Sequence, residues 1–95
     1  MAGISKTVVS IQPGKMEEIT KYIDSQAGLV TELDGMIGFA VAVTGEDEIT
    51  IIGVYDSSKD ARDASDTVQK VFAGAASYMA GPPERGVFSG VWFSG

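Results

Sequence analysis

The chain has 95 residues, 44% apolar and 21% charged, the composition of one small globular domain over residues 1–95 with room for a single core. Histidine, cysteine and asparagine are absent, which excludes histidine triads, thiolate chemistry, disulfides, imidazole metal sites and histidine-ligated haem. A net charge of −6 with no basic stripe argues against nucleic acid and anionic membranes as partners.

Met1 to Lys6 lacks the basic-then-apolar order of a secretion signal, and no apolar run approaches the roughly 20 residues that span a bilayer, so the expectation is a cytoplasmic protein. Thr7-Val8-Val9-Ser10-Ile11-Gln12 is rich in β-branched residues and stops at Pro13-Gly14, which predicts a first strand. Pro13 suits the opening of a helix, Glu17 and Glu18 complement its dipole, and Met16, Ile19, Ile23, Ala27 and Val30 form one apolar stripe. Gly28 is a weak point where that helix ends or from which it runs on to about Leu33. After the turn residues Asp34-Gly35, Ile37 to Val43 predicts a second strand, Thr44-Gly45-Glu46-Asp47 a hairpin turn, and Ile49 to Tyr55 a third strand.

Ser57 stands three residues before Asp60, a variant capping box that predicts a second helix. Ala61, Ala64, Val68, Val71, Phe72, Ala75 and Met79 supply its buried face, and Gly81-Pro82-Pro83 ends it. Val87 to Phe93 predicts the last strand. The order β-α-β-β-α-β, with right-handed crossovers, implies a ferredoxin-like α+β fold: a four-stranded antiparallel sheet with the first and third strands adjacent and two helices on one face.

Two helices cover only one face of such a sheet, yet the strands do not alternate cleanly between apolar and polar. In the second strand Ile37, Phe39, Val41 and Val43 point one way and Gly38, Ala40 and Ala42 the other; in the third, Ile49, Ile51 and Tyr55 oppose Thr50, Ile52 and Val54. Phe88 and Trp92 likewise oppose Val87, Val91 and Phe93. Leaving the second face in water forfeits on the order of 10 kcal/mol, so the expectation is a homodimer through that face.

The chain resembles the antibiotic-biosynthesis-monooxygenase-like branch of the dimeric α/β-barrel proteins. The resemblance is carried by Pro13-Gly14-Lys15-Met16-Glu17-Glu18, Gly35-Met36-Ile37-Gly38-Phe39 and Val54-Tyr55-Asp56-Ser57-Ser58-Lys59-Asp60-Ala61, together with the element order. It implies a dimeric barrel and a small-molecule enzyme related to cofactor-independent monooxygenases, with no metal, haem or other cofactor; isomerases also occur among the relatives. The asparagine and histidine on which catalytic relatives commonly rely are missing here, and the alternative is a non-catalytic dimeric module or accessory subunit that binds a small apolar or aromatic ligand.

Tyr55 and Trp92 are the candidate catalytic side chains: a phenol hydroxyl can donate to a phenolate or enolate oxygen, and an indole can stack on an aromatic ligand. Both also read as ordinary core or interface aromatics. Arg85, in the loop that ends at Gly86, is a candidate carboxylate clamp, and Tyr22 and Phe72 complete the candidate substrate-binding set. Tyr22 and Tyr78 read equally as half-buried rings with hydroxyls in water. Arg62 among Asp60, Asp63 and Asp66 reads as a surface pair, and Glu46-Asp47-Glu48 as a solvated turn without the ligand spacing of a calcium loop. Small residues such as Gly53, Gly74 and Ala75 either open a pocket or let helix and sheet approach closely.

Overall fold

A computed structural model describes residues 1–95. The elements run β1 (Ala2–Ser10), α1 (Met16–Ser25), α2 (Ala27–Thr31), β2 (Met36–Gly45), β3 (Glu48–Tyr55), α3 (Ser58–Asp63), α4 (Ser65–Ala73), a 3-10 turn (Ala76–Tyr78) and β4 (Glu84–Gly90). The sheet order β2-β3-β1-β4, antiparallel throughout, is the ferredoxin-like arrangement, with β1 beside β3 as expected. No helix is long and apolar enough to cross a membrane.

Several boundaries differ from the sequence reading, each for a local reason. The first strand begins at Ala2, because Ala2 to Lys6 finds partners in both β3 and β4, and it ends at Ser10, with Ile11 retaining one isolated bridge to Met79. Gly14, at φ 78°, turns the chain before the first helix, which therefore starts at Met16 and not at Pro13. That helix is interrupted at Gln26, whereas Gly28 lies inside the short continuation α2. The last strand lies earlier than predicted, because Glu84 to Gly90 pairs with Val8 to Ala2 and leaves Val91, Trp92 and Phe93 beyond the sheet.

The second helical stretch starts as its sequence indicates, with Ser57 Oγ accepting from the Asp60 amide at 3.2 Å. It then breaks at Ala64 and stops at Ala73, so Tyr78 and Met79 follow in and after the 3-10 turn. The β2–β3 connection turns on Glu46-Asp47, and the Thr44 and Thr50 hydroxyls meet at 2.9 Å across it. Arg62 forms no ion pair; the pair on this flank is Lys59–Asp63 at 2.7 Å, one helical turn apart.

Period-two alternation sets the core. Ser5, Thr7 and Val9 from β1, Ile11 just beyond it, and Ile49, Gly53 and Tyr55 from β3 face the helices and are buried. Val9, Ile11, Ile19, Ile49, Phe72 and Ala75 form the main cluster, and Tyr55, Ala61 and Ala64 a second one. A bulge at Ile37 between the Met36–Tyr55 and Gly38–Val54 pairs puts Phe39, Val41 and Val43 on the helix side of the edge strand, where Val43 remains 64% exposed. The opposite face carries Ile4, Val8, Ile52 and Val54, half-buried by their own neighbours, and Phe88, 56% exposed.

Candidate functional site

Arg85 organises the one place where polar groups converge on an apolar hollow. β4 pairs it with Thr7 of β1, so its side chain rises on the helix side of the sheet. Its Nη2 donates to the Ala61 carbonyl at 2.9 Å and its Nη1 to Ser65 Oγ. In a continuous helix the Ala61 carbonyl would belong to the Ser65 amide; instead, the helix is interrupted at Ala64 and the guanidinium occupies the break. The third donor, Nε, is buried without a partner. No carboxylate pairs with this cation, although the chain as a whole carries a charge of −6.

Two hollows meet at Arg85. A groove of about 650 Å³ runs between α4 and the Met79–Pro83 segment, floored by Thr7, Phe72, Arg85 and Val87. Behind it, between helices and sheet, lies a chamber of about 50 Å³ that includes Tyr55, Ile51, Val71 and Met36. Thr7, Val68, Phe72 and Arg85 border both, so one side-chain layer separates groove from chamber. Neither the groove nor the chamber is lined by an aspartate or glutamate.

Of the residues singled out from the sequence, Arg85, Phe72 and Tyr55 therefore come together: Arg85 and Phe72 at the groove, and Tyr55, 1% exposed, in the chamber behind. Tyr22 lies apart. Its hydroxyl donates to the Val71 carbonyl at 2.7 Å instead of standing in water, and Gly74 faces it with no room for a β-carbon. Trp92, 44% exposed, follows the last strand and lines neither hollow. Ser65 and Thr7 escaped the sequence reading. For Thr7 the signal was present in β1, where the inward positions Ser5 and Thr7 are hydroxyl-bearing in a register that otherwise carries glycine, valine and isoleucine.

Sheet order and helices on one face define a ferredoxin-like α+β fold. No family model matches the chain, and no curated protein matches its sequence. Among solved structures, a Nitrosomonas europaea protein provisionally named an antibiotic biosynthesis monooxygenase superposes with a TM-score of 0.79 at 16% identity, covering 99% of this chain and 94% of its own. A mutant of SnoaB from Streptomyces nogalater, described as a cofactor-independent oxygenase, gives 0.76 at 10% identity over 97% and 95% of the two chains. A second Nitrosomonas europaea protein, NE2512, of unknown function, gives 0.79 at 14% over 99% and 96%. At these identities the likeness is one of fold.

Proposed function

We propose that the chain is a small-molecule oxygenase that takes a phenolic or enolic substrate as its anion and draws on the substrate's own electrons to reduce dioxygen. The observation that carries this reading is Arg85, a cation with no acidic partner and a buried, unengaged Nε at the floor of an apolar groove. An isolated buried charge is costly, and an anionic oxygen beside Nε offsets that cost. The groove has no carboxylate or imidazole to remove a proton, so the substrate has to be acidic enough to ionise with only the help of the guanidinium field.

The reaction balances without another reagent. The phenolate carbon bonds to dioxygen, the peroxide takes up a proton, and loss of water leaves a carbonyl: one C–H plus O₂ becomes C=O plus H₂O, as in conversion of a phenol to a quinone. Arg85 holds the substrate oxyanion, Phe72 offers an apolar wall for the ring, and Tyr55 supplies a hydroxyl on the chamber side. Oxygen uptake with hydroxynaphthalene and anthrone-type probes tests the reading. Arg85→Gln lowers kcat/KM by about 10- to 100-fold, the worth of one charge-assisted hydrogen bond, whereas Arg85→Lys retains part of it. Unchanged kcat/KM in a folded Arg85→Gln protein refutes the site.

The second reading, a non-catalytic module that holds an apolar or aromatic anion, draws support from the same shortage of proton-transfer groups around the groove. Tight binding of the probe anions without oxygen uptake selects it.

On either reading the working unit is a homodimer through the outer sheet face. Ile4, Val54 and Phe88 lie side by side by register, and Ile52 and Val8 flank Lys6 on the same face. Lys6 and Glu84, on the same face, form no ion pair within the chain and offer complementary charges to a two-fold mate.

A further inference from the structure

We infer that the 50 Å³ chamber behind the groove is a holding site for a small apolar gas, dioxygen in the working protein. Its volume is far below that of any organic ligand and close to that of a diatomic or a single heavy rare-gas atom. Most of its lining is apolar, with Ile23, Met36, Phe39, Ile51, Val71 and Phe72 among the residues that form it. A water needs two to four polar partners to remain in a cavity, whereas small apolar cavities stay dry and take up xenon. The polar groups of the lining belong to Ser5, Thr7, Gln26, Tyr55 and Arg85; water held by them is the competing occupant, and it is the outcome that an absence of xenon reports.

Position gives the chamber its use. Thr7, Val68, Phe72 and Arg85 are common walls of chamber and groove, so a gas molecule inside lies one side chain from the atoms of a ring seated against Phe72. Apolar gases partition from water into hydrocarbon, and a chamber here raises the local concentration of dioxygen next to the substrate carbon.

The use for dioxygen rests on the oxygenase reading above; the chamber itself does not, and xenon separates the two. Xenon-129 NMR of the intact protein, with a crystal pressurised under xenon to place the atom, is expected to show one site bordered by Ile51, Val71 and Phe72. Filling the space with Val71→Ile, or with Val30→Ile at its half-buried rim, removes the xenon signal. In turnover assays the same variants raise KM for dioxygen several-fold and leave KM for the organic substrate in place. Having two filling variants on different helices guards against one that fails to fold, as judged by circular dichroism. Absence of xenon from the chamber, or wild-type uptake by both folded filling variants, overturns the inference. Xenon in the chamber without oxygen consumption upholds the gas site and sinks only the oxygenase reading.

Discussion

On the proposed pairing of two copies through the outer sheet face, Ile4→Asp should leave the protein a stable single subunit. Ile4 lies in β1 between Val54 of β3 and Phe88 of β4, at the middle of the outer face and with no cation directly opposite on either strand. Removing its burial costs the association about 2 kcal/mol, and an unpaired carboxylate in the contact costs at least about 2–3 kcal/mol more. A two-fold interface contains the substitution twice, so the total is about 8–10 kcal/mol per dimer. At 1.4 kcal/mol per decade that weakens Kd by about six powers of ten. Sedimentation velocity at micromolar concentration reads the change directly, with far-UV circular dichroism confirming that the sheet is intact. A wild-type protein that sediments as a single subunit, or an Ile4→Asp protein that stays dimeric, refutes the reasoning.

Tyr22→Phe removes the hydrogen bond to Val71 and is expected to cost about 1 kcal/mol, or about 4–8 °C in Tm by differential scanning calorimetry. Gly74→Ala should destabilise more than Tyr22→Phe in the same assay, because the new methyl collides with the Tyr22 hydroxyl, and the double variant Tyr22→Phe, Gly74→Ala should recover part of the loss. Ser57→Ala deletes the cap of α3 and should cost about 1 kcal/mol in a urea titration. The Lys59 amine is held above its ordinary 10.5, first by its hydrogen bond to Asp63 and then by the charge of that carboxylate. A group with a raised folded pKa contributes fully below its unfolded value and loses that contribution as pH climbs through the folded one, so Lys59→Met should differ from wild type in Tm at neutral pH and converge with it above pH 10.5.

The strand and helix order was legible because patterns of period two and period three to four dominate this sequence. The Pro13-Gly14, Asp34-Gly35 and Gly81-Pro82-Pro83 punctuation separates most of the elements cleanly. What the pattern did not carry were interactions between distant segments. Ala2 to Lys6 reads as a weak strand alone and becomes one because β3 and β4 flank it. The break at Ala64 has no proline or glycine to announce it; its cause is an arginine 21 positions downstream, at Arg85. The same long-range contact made the site only half visible. Arg85 and Phe72 were marked by residue type, but their meeting with Thr7 and Ser65 depends on strand register and helix interruption, which composition does not encode. Trp92 was assigned to a strand because its neighbours are β-formers, and it lies past the last paired residue, Gly90.

The interrupted helix ties the shape of the backbone to the position of Arg85. One guanidinium splints α3 to α4 through Ala61 and Ser65, and the same group is the only cation available to an arriving anion. If the groove takes an anion as proposed, an anion that also pulls Arg85 off these two acceptors would leave the joint unsupported and favour a straighter rod, in which the Ser65 amide regains the Ala61 oxygen. By reciprocity, any change that straightens the rod releases the cation and tightens anion capture by the same factor.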